Sequence, residues 1–315
     1  MNLRQLRYFV EIAELRSFSR ASETLHIAQS ALSRQIQQLE DELGTALLER
    51  TPRGVHLTWA GERFLERVQA LLNGLSAARS ELASLAEEPR GAVSIGVPPS
   101  MLETVTLPLL AAYRRAYPKV QIRVREGISA DLSEAVANGL LDVAIVSDRE
   151  ELRHLRTRPL INEGLWVLAP PGGRPHTGSA ITLQQLAELP LITTSRPNAL
   201  RAMLDDALGS AGLAWQPIIE SNSARLSIAL AESGAGWAVL PYSGAFVPIR
   251  DGRLQGFPIA DLRVDWVLIS HRAQPPAPPA LRLQALLQET LRNAAGMADW
   301  RLADNLHDMG CETGR

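Results

Sequence analysis

The sequence predicts an α+β multidomain protein of three parts: a small helical N-terminal domain with a strand pair, one long connecting helix, and a large α/β domain. Three observations carry this. Residues 1–57 hold three short apolar-periodic stretches and then two strand-like runs. Residues 58–88 lack proline and are rich in Leu, Ala, Glu and Arg. Residues 91–295 alternate strand and helix patterns, the mark of a sheet with crossover helices. At 315 residues the chain exceeds one ordinary domain.

In the first part, Leu3, Leu6, Phe9, Val10 and Ala13 recur at helical spacing, and Ser17 breaks the pattern. A second helix is expected near Ser19–Leu25 and a third near Gln29–Leu43, stopped by Gly44. Leu47-Leu48 and Val55-His56-Leu57 read as strands around the turn Thr51-Pro52-Arg53-Gly54.

Thr58 suits an N-cap for the long helix, which with a hinge at Glu87-Glu88-Pro89-Arg90-Gly91 makes up residues 58–90. Leu65, Val68, Leu72, Leu75, Leu82 and Ala86 keep a 3-4 spacing, about three heptads of seam, and Leu71, Ala78 and Leu85 form a second apolar row. Such a helix needs a cover, either its own C-terminal domain or the matching helix of a second subunit. The matching helix of a second subunit is the expected cover.

Strands are expected at Ala92–Val97, Val120–Glu126, Asp142–Val146, Leu165–Ala169, Leu191–Thr193, Ile218–Glu220, Trp237–Leu240 and Val264–Ile269. Helices are expected at Leu102–Tyr117, Ala130–Asn138, 182–188, 198–209, 224–232 and, after Pro275-Pro276-Ala277-Pro278-Pro279, Ala280–Ala295. Residues 296–315 read as a frayed tail in which Trp300 packs locally.

Apolar residues at 46% suffice for real cores, and 21% charged residues exclude a disordered or collagen-like chain. No apolar run is long enough to span a bilayer, and Met1-Asn2-Leu3-Arg4-Gln5 does not begin a signal peptide, so a cytoplasmic protein without membrane contact is expected. The single cysteine, Cys311, excludes an internal disulfide framework and a cysteine-based zinc site. Six scattered His residues show no metal-ligand spacing. Gly234-Ala235-Gly236 lacks the third glycine of a dinucleotide fingerprint and precedes its strand. There is no Gly-x-Ser-x-Gly elbow. No catalytic residue, metal or cofactor is therefore expected. The net charge of −2 does not suggest nucleic acid, so any such role must rest on where the charges sit.

They sit suggestively between Ser19 and Glu40. Two helices joined by a short turn, with Ala21 and Ser22 inside and Leu25, Ile27, Leu32 and Ile36 as core, describe a helix-turn-helix. The second helix shows a polar face of Gln29, Ser30, Ser33, Arg34 and Gln37. Gln pairs with adenine, Arg with guanine and Ser with either. An ordinary helical hairpin has polar faces too, and the pattern alone leaves both readings open. His26 reads as a turn residue.

Residues 1–67 closely resemble the LysR-type transcriptional regulators. The matching stretches are Leu6-Arg7-Tyr8-Phe9, Leu25 to Ile36, Leu39-Glu40, Leu43-Gly44, Leu47-Leu48-Glu49-Arg50 and Arg53 to Gly61. The resemblance continues more loosely over about 290 residues. Ser22, Ala28, Leu48 and Trp59 depart from the usual pattern. His26-Ile27-Ala28-Gln29 and Val93-Ser94-Ile95-Gly96 resemble the nitrogen-assimilation-control branch. The resemblance implies a winged helix-turn-helix, a dimerising linker helix and a periplasmic-binding-protein-like effector domain of two lobes. Lobe I would span about 91–161 and 268–295, and lobe II about 162–267. It implies double-stranded DNA as partner, assembly as a homodimer or homotetramer, a small-molecule effector, and RNA polymerase if the protein activates. Gln29, Ser30, Ser33 and Arg34 would face bases, with Gln37 beside them on the same face. Arg53 would sit at the wing tip, and Arg50 and Thr51 would touch phosphate.

In the α/β domain, Ser100 with Met101, Ser129, the group Thr194, Ser195, Arg196 and Asn198, and Ser223 each stand at an expected helix N-terminus. Helix N-termini favour anions, so a carboxylate or other anionic effector is expected there. Plain N-capping explains each position equally well. The resemblance favours Ser100 and Ser129, whose counterparts line the family's cleft. A regulator that needs no effector, and an α/β enzyme or solute-binding protein with an unrelated helical domain, are the competing readings.

Overall fold

The computed structural model describes residues 1–51, 54–83, 89–149, 152–173, 180–273, 276–294 and 300–302. The chain divides into two compact units, one of residues 1–79 and one holding nearly all the rest.

The N-terminal unit runs α1 (Leu3–Leu15), α2 (Phe18–Thr24), α3 (Gln29–Leu43), β1 (Leu48–Thr51), β2 (Gly54–Leu57) and α4 (Trp59–Ala83). Asn2 caps α1 in a reciprocal capping box with Gln5. Ser17, the residue that interrupts the periodicity, accepts the Arg20 N–H and starts α2. Gly44 closes α3 in the left-handed conformation at φ 68°. The antiparallel pair β1–β2 is the wing hairpin, in register Leu48↔Leu57 to Thr51↔Gly54. Leu6, Phe9, Ile12, Phe18, Leu32, Ile36, Leu39, Leu47 and Val55 form one buried core.

Val68 belongs to that core, and Phe64, Leu65 and Leu72 pack against it, with Phe64 and Phe9 ring centroids 5.4 Å apart. This corrects part of the expected partner seam: Leu65, Val68 and Leu72 cover the chain's own N-terminal core. Leu71, in the second row, is left exposed. Leu85, Ala86 and the acidic part of the hinge lie outside the described residues, as do Arg53 and Cys311.

The C-terminal unit runs β3 (Gly91–Val97), a 3₁₀ turn (Pro99–Met101), a π turn (Leu102–Thr106), α5 (Leu107–Ala116), β4 (Val120–Glu126), α6 (Ser129–Ala137), β5 (Val143–Ser147) and β6 (Leu155–Ala169). It continues with α7 (Leu183–Ala187), β7 (Leu191–Thr193), α8 (Ala199–Ser210), β8 (Ile219–Glu220), α9 (Ala224–Glu232), β9 (Trp237–Pro241), α10 (Tyr242–Arg250), β10 (Gln255–His271), α11 (Pro278–Ala294) and β11 (Trp300–Leu302). Strand order is β4-β3-β5-β10-β6-β9-β7-β8, with β11 added to β6. The β4-β3-β5 and β9-β7-β8 groups are internally parallel. The long antiparallel pair β6–β10 joins these halves: β5 pairs with Trp266–Ser270, while β9 pairs with Leu165–Leu168.

Three features differ from expectation. The runs Leu165–Ala169 and Val264–Ile269 are segments of much longer strands, β6 and β10. Pro159, Gly164 and the acid Glu163 break the apolar pattern of β6, which hides its length. Helix α10 has no counterpart in the sequence pattern, because Gly244 and Pro248 lie within it and read as breakers. Trp300–Leu302, placed in the frayed tail, forms β11 in register with Ile161–Glu163, and Trp300 is buried.

Candidate functional site

The turn from α2 to α3 passes through His26, which takes the left-handed conformation at φ 52°. Ala28 stands at the N-cap of α3 and makes no side-chain cap, so the first-turn N–H groups face outward without one. Leu32, Ile36 and Leu39 bury one face of α3. On the other, Gln29, Ser30, Arg34 and Gln37 are exposed and Ser33 is half-buried. Ser19 Oγ donates to Gln29 Oε1 at 3.1 Å, and Gln37 Nε2 donates to Asp41 Oδ1 at 2.9 Å. Arg34 makes no ion pair among the described residues. Arg50 lies in β1 opposite Val55, and the exposed Thr51 donates its hydroxyl to the Gly54 carbonyl at 3.2 Å. Sequence reasoning missed Glu40. Its Oε1 accepts the N–H groups of Leu47 at 2.8 Å and Leu48 at 3.0 Å, tying α3 to the wing hairpin. An acid in the last turns of a helix, where the dipole disfavours it, was the available signal.

The second site is an open cleft in the C-terminal unit. Pro99 and Ser100 follow β3, Gly127 to Ser129 follow β4, and Ser147 ends β5. Across from them stand Thr194 after β7, Asn198 at the start of α8, Asn222 after β8, and Pro241 at the end of β9. Trp266 enters from the joining strand β10. The cleft thus opens at the carboxyl ends of the parallel strands, where ligands of open α/β sheets bind.

Its walls carry donors but no charged side chain. Asn198 caps α8, accepting the Leu200 N–H, and Asn198 Nδ2 reaches Asn222 Oδ1 at 3.3 Å. Ser129 Oγ accepts the Ser147 N–H at 3.0 Å. Thr194 is nine-tenths buried, yet its Oγ1 finds no hydrogen-bond partner among the described residues. Behind it, Arg201 donates to the Thr194 carbonyl at 3.3 Å and is answered by Asp205 and Glu220. Burial alone would raise the Asp205 carboxyl, but hydrogen bonds from Arg196 and Arg201 outweigh it and hold it below the usual carboxylate range.

Of the expected ligand positions, Ser100, Ser129, Thr194 and Asn198 line the cleft, and four do not. Met101 closes the 3₁₀ turn and points into the hydrophobic core. Ser195 accepts Asn222 Nδ2 at 2.7 Å. Arg196 turns outward to Asp205, so the one cation expected at the site is engaged elsewhere. Ser223 caps α9 through the Leu226 N–H. The sequence reading missed Ser147, Ser221, Asn222, Ser227 and Trp266, which only the strand order brings to the same opening.

Comparison with known proteins adds the context. Residues 3–62 match the family profile "Bacterial regulatory helix-turn-helix protein, lysR family", and residues 86–292 match "LysR substrate binding domain". The nitrogen assimilation regulatory protein nac of Klebsiella aerogenes is 35% identical over 246 residues, covering 78% of this chain and 80% of that protein. The HTH-type transcriptional regulator BbuR of Bordetella bronchiseptica is 29% identical over 297 residues, 94% of this chain and 91% of that one. Among solved structures, a full-length OxyR variant from Pseudomonas aeruginosa superposes with a TM-score of 0.69 at 25% identity, covering 93% of this chain and 95% of the other. CbnR, a LysR family transcriptional regulator, shares the fold with a TM-score of 0.71 at 23% identity, covering 94% and 99%.

Proposed function

The chain belongs to the LysR family of bacterial regulators, and from that premise we propose that a small carboxylate bound in the C-terminal cleft adjusts how it engages its operator. It is a DNA-binding transcriptional regulator and not an enzyme. Among the described residues no helix is long and apolar enough to cross a membrane, and the working place we assign is the cytoplasm.

The observation that carries the ligand is the uncharged polar lining of the cleft, where Ser100, Ser129, Thr194, Asn198 and Asn222 converge from both halves of the sheet, with the Thr194 hydroxyl unpartnered among the described residues. A buried hydroxyl left unmade costs about 1–3 kcal/mol, which a ligand oxygen would recover. Around it, α6, α8 and α9 open their N-termini on the cleft, so several N–H dipoles meet there. Such donors suit a carboxylate even without a cation. On full-length protein, melting in the presence of a panel of organic acids and of their neutral amides tests this. An acid at 100 times its Kd should add about 2.7 kcal/mol of stability. Acids and amides acting alike would count against the reading, and a flat response to both would point to a regulator that needs no effector.

On DNA, α3 would lie in the major groove with Gln29, Ser30, Ser33 and Arg34 on base edges. Gln37, Arg50, Thr51 and Arg53 would meet the backbone and the adjoining groove. A homodimer or homotetramer would span two half-sites, with RNA polymerase as further partner in activation. Arg34→Ala is expected to cost about 1–3 kcal/mol on the cognate site and to relax preference at one base position. Operator titrations with single-base variants check this; a loss equal on all sequences would make Arg34 a phosphate contact.

A further inference from the structure

Glu163 and Arg201 are the charged side chains that are buried among the described residues. Arg201 is answered by two carboxylates; Glu163, fully buried, has no cation partner among the described residues. Four donors surround it instead. Oε1 accepts Trp266 Nε1 at 2.5 Å and Ser243 Oγ at 3.0 Å, while Oε2 accepts the Ser243 N–H at 2.6 Å and Trp300 Nε1 at 2.9 Å. These donors come from β10, from the first turn of α10 and from β11. Trp266 is also a wall of the cleft.

We propose that Glu163 is a positioning residue for the cleft: its buried carboxylate fixes the Trp266 wall and the C-terminal strand β11 to one point, and loosens both when it takes up a proton. The ligand side of this inference rests on the cleft reading above; the positioning does not. Burial without a counter-charge pushes the Glu163 carboxyl up to about 7, even though its hydrogen bonds from Ser243, Trp266 and Trp300 pull the other way. The charged groups described on the neighbouring elements are these. On β10, Arg263 and Asp265 both bond Asn162, the next residue along β6, whose side chain leaves by the opposite face. On α10, Tyr242 packs its ring at a tilt against Trp166, and Arg250 pairs with Asp251, near Glu103 of the π turn. On β11, Arg301 lies opposite Asn162 in register. The ionised form can accept all four hydrogen bonds. The neutral form carries a proton that only Ser243 Oγ, among these four, can accept, and its remaining oxygens attract the indoles less strongly.

The test is the titration of ¹⁵N-labelled indole N–H signals in the full-length protein without ligand, with the six tryptophans assigned by single Trp→Phe changes. The Trp266 and Trp300 signals are expected to move together between about pH 5.5 and 8.5 with one shared midpoint. In Glu163→Gln both should stop titrating. Trp300→Phe removes a donor that favours the ionised form, so it should raise the midpoint seen at Trp266. Linkage supplies a second readout. The folded carboxyl holds its proton to higher pH than the unfolded one, so this group's contribution to stability is fully present below about pH 4.3 and is lost as pH rises through about 7. The melting temperature of the wild type should therefore fall relative to Glu163→Gln over that window. A Trp266 signal that stays still, that titrates in Glu163→Gln, or that ignores Trp300→Phe overturns the proposal. If the indoles titrate as described while no organic acid raises the melting temperature, the effector reading falls and the positioning role of Glu163 stands.

Discussion

Leu71→Glu is expected to leave the protein monomeric and to weaken operator binding about 10²–10⁴-fold. Helix α4 has 25 residues and so is about 37 Å long. Its first half lays one face, Phe64, Leu65, Val68 and Leu72, on the N-terminal core. Leu71 lies off that face and is 51% exposed. In the sequence, Ala78 and Leu85 follow Leu71 at heptad spacing. A second copy of the helix is the cover this row calls for. A glutamate there must be buried at a cost of several kcal/mol, or the helices part. A monomer holds one half-site and loses the gain from engaging two. Because Leu71 is exposed in the protomer, helix content should not change. Sedimentation beside operator titration checks the prediction, and an unchanged oligomer would place the subunit contact elsewhere.

Gly61→Ala is expected to cost the N-terminal unit about 3 kcal/mol or more, and operator binding with it. Gly61 sits in the first turn of α4, where its N–H donates to Thr58 Oγ1 at 3.0 Å. A Cβ at this position would overlap the Leu47 carbonyl oxygen and lie 2.9 Å from its carbon. That carbonyl is backbone and cannot swing aside, because it accepts the Thr58 N–H while Glu40 holds the Leu47 N–H. The methyl must therefore push the Leu47 backbone, which leads into β1, away from α4, breaking several hydrogen bonds of about 0.5–1.5 kcal/mol each. Thermal melting of the variant, with operator titration below its transition, measures this. A melting temperature within a degree of wild type would mean that helix and hairpin do not press on each other there.

The helix-turn-helix was legible because each of its parts has a local cause. Gln29–Leu43 carries its own apolar stripe and ends at a glycine, so both bounds of α3 could be read directly. Ala224–Glu232, flanked by a capping serine, was legible for the same reason. The joining strands were not. β6 and β10 are long because they pair with each other over many residues, a fact of register that no local pattern encodes. The same holds for the cleft. Ser100, Ser129, Thr194 and Asn198 could be found as N-terminal polar residues, yet Ser223 and Arg196 look alike in sequence and face elsewhere. Which N-termini converge depends on strand order, and so does the arrival of Trp266 from a strand that closes the first half of the sheet. The cluster at Glu163 was invisible because its donors lie 80, 103 and 137 residues away along the chain.

Thr194→Val asks whether the cleft reads a small carboxylate. The substitution keeps the shape and replaces the unpartnered hydroxyl by a methyl group. Without ligand, the variant should melt at the same temperature or higher and should bind its operator as the wild type does. Operator affinity is then followed while the organic acid with the largest wild-type melting shift is added. The variant should need about tenfold more acid for the same response, a difference of about 1.4 kcal/mol. A variant that answers the acid at the wild-type concentration would contradict it.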